Sequence, residues 1–179
     1  MVCRSKNDYL KAKKLKWLGI DRENRKKNKN IWLNDITSLG YKSNLSELPA
    51  TIGIEQMKYV RTLLKRNNSN GNYYDKNLKN INGLKIFQRH KNSFSTFWLY
   101  SFLSEKKTEL LKKLKDYNIE SFQVHPRNDK YTIFKKFKSK LKNLDKFENQ
   151  EINVPCGWWL KKKDLDKIIK IIKDVHEKN

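Results

Sequence analysis

The feature that most constrains the fold of this chain is an apolar stripe close to its end. Over 164–175, aliphatic residues recur with the i, i+3, i+4, i+7 spacing of one helical face. They are Leu165, Ile168, Ile169 and Ile172. Burying such a side chain contributes about 1.5–3 kcal/mol. A helix here must therefore pack against other elements, which predicts a globular domain.

The rest of the chain alternates between helical and strand-like patterns. Helices are predicted over 7–18, from Ser46 onward with a stripe that fades at 67–72, and over 110–117. Asn118 suits a left-handed cap for the last of these. Strands are predicted over 84–88, 96–103, 119–124 and 151–155. This order predicts an α/β chain of the α+β type, with helices packed on a small, mostly antiparallel sheet.

Composition and short motifs exclude several classes of protein. The mean hydropathy of -0.92 and the short apolar runs exclude a membrane span, which needs about 20 apolar residues. The first ten residues are charged and resemble no signal peptide. Cys3 and Cys156 lack metal-site spacing and are expected to be reduced thiols in a cytoplasmic protein. The three histidines form no HExxH pattern, so no metal site is expected.

The net charge of +22 admits two interpretations. A strongly basic field attracts polyanions, which is typical of a nucleic-acid-binding module. Only seven of the 41 basic residues are arginine, however, and asparagine is abundant, as AT-rich codons would produce. Arginine forks are preferred for recognising phosphates and base edges. The codon interpretation is therefore favoured, and the nucleic-acid module stays the alternative.

Residue patterns alone reveal no self-contained active site. The chain has neither a glycine-rich phosphate loop nor a G-x-S-x-G nucleophile motif. Five segments nevertheless combine unusual residues in a fixed order. They read LKWLGIDR (15–22), IWLNDITSLGYKSNLSELPATIGIEQM (31–57), KKLKDYNI (112–119), VHPRND (124–129) and VPCGWWL (154–160).

Taken together, the five segments resemble the C-terminal half of DegT-type aminotransferases, which build amino sugars on nucleotide carriers. The resemblance implies the C-terminal small domain of a fold type I transferase dependent on pyridoxal 5'-phosphate. Residues 1–30 would be the end of the large domain with a connecting helix. Residues 31–179 would be the small domain with its long interdomain helix.

In this family a lysine holds pyridoxal 5'-phosphate as a Schiff base, in a motif upstream of the strand that the first three residues resemble. That motif is absent from these 179 residues. The resemblance therefore implies a C-terminal fragment without a catalytic lysine, inactive by itself. The complete enzyme would transfer an amino group, with glutamate as the expected donor, to a nucleotide-linked keto sugar in the cytoplasm. Its partner would be a second subunit or a missing N-terminal half.

The resemblance also implies roles for individual residues. Asn44 matches the position that reaches the cofactor phosphate of a neighbouring subunit, and it also suits an ordinary helix N-cap. His125 and Arg127 match the loop that faces the substrate, although a solvated loop is the favoured interpretation of Arg127. Tyr41 and the Trp158-Trp159 pair are expected to be packed in the core. Ser43 departs from the family's aromatic residue and Lys161 from its helix cap.

Overall fold

The computed structural model describes residues 3–21, 35–42 and 46–177. The chain divides into two compact units. Unit 1 comprises Met1–Gly53 and His125–Lys142, and unit 2 comprises Ile54–Val124 and Asn143–Asn179. Among the helices that the structure describes, none is both long enough and apolar enough to cross a membrane.

The centre of unit 2 is a three-stranded antiparallel sheet in the order β1-β2-β3. Its strands are β1 (Leu84–Ile86), β2 (Leu99–Ser104) and β3 (Glu151–Pro155). Residues of β2 alternate between half-buried and buried, as a strand with one face on a core requires. The sequence therefore predicted both the small sheet and its antiparallel pairing correctly.

Three helices of unit 2 contribute side chains to the core beside this sheet. They are α3 (Val60–Leu78), α4 (Lys107–Asp116) and α6 (Lys162–Glu177). Helix α6 packs against both of the others and buries the aliphatic stripe that its sequence predicted, together with Ile171 and Val175. The large core side chains that are fully inaccessible to solvent include Tyr74, Leu78, Tyr100, Phe102, Leu110, Leu114, Ile152 and Ile172.

Three details of unit 2 differ from the sequence predictions. Residues 119–124 form no strand, because pairing with β3 is limited to the single bridge between Phe122 and Asn153. Helix α3 continues through the polar segment 67–72, since Asn70 and Gly71 lie on its buried face. A helix that was not predicted, α5 (Lys142–Gln150), precedes β3. Asn118 does adopt the left-handed conformation, with φ of 56°.

Unit 1 contains α1 (Lys6–Leu15) and most of α2 (Glu47–Gln56), followed in its second segment by two 3-10 turns. Neither helix buries a residue. Helix α1 begins after Ser5, whose hydroxyl oxygen accepts a hydrogen bond from the Asp8 amide at 3.1 Å. Helix α2 begins directly after Ser46, where the sequence predicted its start.

Candidate functional site

Two motif segments of unit 1 meet through their backbones. The Leu18 amide donates to the Tyr41 carbonyl at 3.1 Å, and the Tyr41 amide donates to the Leu15 carbonyl at 2.6 Å. A Cβ on Gly40 would collide with the Gly19 backbone nitrogen, so this approach requires glycine. The turn at the end of α1 and the segment leading toward Asn44 are therefore held together.

A second connection ties the segment before Gly40 to the loop that carries His125 and Arg127. The Asp35 carboxylate accepts hydrogen bonds from the Thr132 amide at 2.9 Å and from the Thr132 hydroxyl at 2.7 Å. The Ile133 amide donates to the Ile36 carbonyl at 3.2 Å. The backbone hydrogen bond from Thr132 is the main cause that lowers the pKa of Asp35. Two segments almost one hundred residues apart in sequence thus adjoin in unit 1.

Within that loop, Arg127 is buried and forms a fork with a neighbouring carboxylate. Its Nε and Nη2 donate to the two Asp129 oxygens at 2.8 and 2.5 Å. The side chain is only 7% exposed. The hydrogen bond from Arg127 is the main cause that lowers the pKa of Asp129. Part of the guanidinium is thereby committed to the shape of the loop.

The remaining predicted site residues have different surroundings. His125 is exposed, next to the buried Val124. Asn44 lies outside the described residues, so its predicted role stays a prediction. Tyr41, expected to be packed, is 73% exposed, because its segment contributes backbone hydrogen bonds to unit 1 and no buried side chain.

The Trp158-Trp159 pair was predicted to be core, and this prediction was wrong. The two side chains are 46% and 59% exposed, with their rings edge to face and 6.0 Å between centroids. They follow a turn that is anchored from helix α3, where the Asn70 amide nitrogen donates to the Gly157 carbonyl at 3.0 Å. Asn70 was missed by sequence reasoning, and its only signal was a polar residue on the apolar face of α3.

Comparisons with known proteins find relatives that match most of the chain. Residues 1–173 match the sequence profile of the DegT/DnrJ/EryC1/StrS aminotransferase family. The UDP-4-amino-4,6-dideoxy-N-acetyl-beta-L-altrosamine transaminase of Campylobacter jejuni is 29% identical over 154 residues, covering 82% of this chain and 40% of that protein. The spore coat polysaccharide biosynthesis protein SpsC of Bacillus subtilis is 26% identical over 165 residues, covering 85% and 42%.

A solved structure gives the same result in three dimensions. The sugar aminotransferase CalS13 from Micromonospora echinospora superimposes with a TM-score of 0.70 and 28% identity, covering 97% of this chain and 46% of that protein. The chain thus spans less than half the length of these relatives and matches their C-terminal part. The predicted relation to fold type I sugar aminotransferases is confirmed. The chain belongs to the DegT/DnrJ/EryC1/StrS aminotransferase family.

Proposed function

We propose that this chain is the C-terminal portion of an aminotransferase that uses pyridoxal 5'-phosphate and acts on a nucleotide-linked keto sugar. The observation that carries the proposal is the family match over residues 1–173. Glutamate is the proposed amino donor, and the proposed setting is the cytoplasm. Of the relatives named above, two are described as sugar aminotransferases or transaminases and one as a polysaccharide biosynthesis protein.

The covalent anchor for the cofactor is proposed to lie outside the described residues. A Schiff-base lysine is held in a closed cleft, but none of the described lysines is buried. Lys107, which is half-buried, already donates to the Gln123 side chain and the Glu148 carbonyl at 3.0 and 2.6 Å. The anchor, whose bound cofactor would act as an electron sink, is therefore assigned to the part of the family fold that these residues do not include.

The proposed share of this chain is to complete the site from unit 1. Asn44 would donate its side-chain amide to the cofactor phosphate of a neighbouring subunit. His125 and Arg127 would contact the substrate, with the Asp129 fork holding Arg127 in position. Residues 1–30 would connect to the large domain, and residues 31–179 would form the small domain. The two connections around Gly40 and Asp35 support this arrangement, since they join the segments that carry these residues.

The test is an amination assay on a polypeptide, or pair of polypeptides, that adds the cofactor domain encoded upstream in the gene. With a UDP-linked 4-keto sugar and glutamate, we expect glutamate-dependent amination that the 179 residues alone do not support. Absence of any lysine-bearing cofactor domain in the upstream DNA would contradict the proposal.

The role of Asn44 is tested in the same enzyme by Asn44→Ala. Losing a hydrogen bond to a charged phosphate is expected to raise the apparent dissociation constant of the cofactor at least about tenfold. Asn80→Ala is the matched control, because Asn80 is exposed just after α3 and lies far along the chain from unit 1's motifs. Equal effects of the two substitutions would reject the assignment of Asn44.

The loop is tested by His125→Ala, which is expected to raise KM for the sugar more than it lowers kcat. Asp129→Asn provides the comparison, because it weakens the fork on Arg127 without touching His125. If neither substitution changes KM, the loop does not contact the substrate.

A further inference from the structure

A groove of about 920 Å³ lies in unit 2 between the second half of α3 and the segment that begins with β1. This volume lies within the range of about 300–1,000 Å³ that is usual for small-molecule sites. Its lining includes the four cationic side chains of Lys76, Lys79, Lys85 and Arg89, and a single carboxylate, that of Asp75. All of its lining residues belong to unit 2.

Arg89 is the fixed cation of this groove. Its Nη1 forms an ion pair with Asp75, and its guanidinium lies over the Phe97 ring, 4.4 Å from the centroid. Asp75 is itself held by the Tyr100 hydroxyl, which donates to its second oxygen at 2.7 Å. Of the five guanidinium N–H donors, those that face Asp75 and the Tyr100 hydroxyl are engaged, and the side chain is 28% exposed. Arg89 therefore presents oriented donors to the groove, as phosphate recognition requires.

The three lysines add positive charge that is not neutralised locally. In the part of the chain that the structure describes, the side chains of Lys76, Lys79 and Lys85 form no ion pair and no hydrogen bond. Asp75 does not compensate them, because both of its oxygens are engaged by Arg89 and Tyr100. An anionic ligand would complete the electrostatics of the groove.

The remaining lining is apolar. Leu84, Ile86 and Phe87 are half-buried along the groove. Phe87 is held by a tilted contact with Phe147, with 5.9 Å between ring centroids. A ligand that carries both phosphates and a flat apolar part would contact the cations and this surface at once.

We propose that the groove between α3 and β1 binds a nucleoside diphosphate, with its phosphates on Arg89 and the three lysines and its nucleoside against Leu84, Ile86 and Phe87. The site belongs to unit 2 and does not depend on the proposed aminotransferase activity. Its failure would leave that activity untouched, because the test measures binding to the 179 residues alone.

The test is isothermal titration calorimetry of the full chain with uridine diphosphate, inorganic pyrophosphate and uridine. Uridine diphosphate is expected to bind at one site at least about tenfold more tightly than either part, because both surfaces are then used. The affinity is expected to fall as ionic strength rises. Equal affinity for pyrophosphate and uridine diphosphate would overturn the nucleoside assignment, and no saturable binding would overturn the site.

Charge substitutions locate the binding. Lys79→Glu is expected to weaken uridine diphosphate binding about tenfold. Lys112→Glu on α4, outside the groove, changes the net charge equally and is expected to change the affinity less than about twofold. Equal losses in the two variants would show that binding follows the overall charge, which would overturn the proposal.

Arg89→Lys separates geometry from charge. It keeps the positive charge but removes the planar fork, and we expect about tenfold weaker binding. Far-ultraviolet circular dichroism checks that the variant is folded, and Lys79→Glu, which alters no internal contact, gives an independent result if it is not. Unchanged affinity in Arg89→Lys would remove Arg89 from the site.

Discussion

Large apolar residues are buried around the sheet of unit 2 but exposed on helix α2. In unit 2, Phe102 and Ile172 are fully inaccessible, enclosed by the chain's own strands and helices. In α2, Leu48 and Ile52 are 72% and 53% exposed, and no residue of the helix is buried. Unit 2 is stabilised by burial of apolar surface, whereas the described segments of unit 1 are joined by hydrogen bonds such as those of Asp35 and Tyr41.

The two regions should therefore contribute differently to the stability of the chain. A unit with its own core is expected to tolerate removal from other domains. Exposed aliphatic residues on a helix contribute little to the stability of an isolated chain. The same kind of substitution made in each region should therefore change the free energy of unfolding by different amounts.

The largest effect is expected from truncating a core side chain. Phe102→Ala should destabilise the chain by about 3–5 kcal/mol, because it leaves a cavity in a fully buried part of β2. Leu48→Ala is the control and should change the free energy of unfolding by less than about 0.5 kcal/mol. Urea denaturation followed by circular dichroism measures both. Similar effects at the two positions would show that α2 is buried in solution.

One substitution should have opposite signs in two helices. A Cβ on Gly71 in α3 would lie 2.5 Å from the Phe97 ring, so Gly71→Ala should cost about 1–3 kcal/mol. A Cβ on Gly53 in α2 meets nothing within 4 Å, so Gly53→Ala should stabilise by about 0.5–1 kcal/mol. Thermal unfolding compares the two variants. A stabilising Gly71→Ala would place Phe97 elsewhere.

The two cysteines are expected to differ in the reactivity of their thiols. Burial raises the pKa of the Cys156 thiol to about 12, which keeps it protonated near pH 8. Cys156 should therefore react with iodoacetamide at least about a hundredfold more slowly than the half-buried Cys3. The Cys3→Ser variant isolates the slow thiol.

The same shift has a consequence for stability. The unfolded thiol ionises at about 8.5, while the folded one stays protonated. The contribution of Cys156 to the free energy of unfolding is therefore complete below that pH and is lost as the pH rises further. Mass spectrometry of the alkylated chain gives the alkylation rates of the two cysteines. Equally fast labelling of both would contradict the burial of Cys156, which directly follows β3.

The smallest effect is expected in unit 1 at acid pH. The pKa of Asp35 is lowered by the Thr132 hydrogen bonds, so its contribution is present above the ordinary carboxyl pKa of about 3.9 and is lost as pH falls below it. The protection factor of the Thr132 amide against hydrogen exchange should fall in that range, and Asp35→Asn should lower it already at neutral pH. Exchange unaffected by Asp35→Asn would mean that the two segments are held by other contacts.

The sequence predicted best the elements whose apolar side chains are buried within unit 2. Strand β3 and helix α6 were found because their apolar residues are buried by the same chain, so the spacing of those residues reflects the packing. Helix α5 was missed because none of its residues is buried. Trp158 and Trp159 were misassigned, since residue type does not reveal whether a covering neighbour exists.

The candidate site was less predictable than the fold. The motif order identified the family, whereas the roles of His125 and Arg127 stay predictions. The Asp35–Thr132 connection spans 97 residues, so no local sequence pattern predicts it. The fork between Arg127 and Asp129 depends on a loop conformation that spacing alone does not specify.

We infer that the covalent anchor of the cofactor lies outside these 179 residues. The direct test is to mix the purified chain with pyridoxal 5'-phosphate, reduce with borohydride and map the modified lysines by mass spectrometry. We expect only scattered, substoichiometric labelling of surface lysines. One lysine modified stoichiometrically would contradict it.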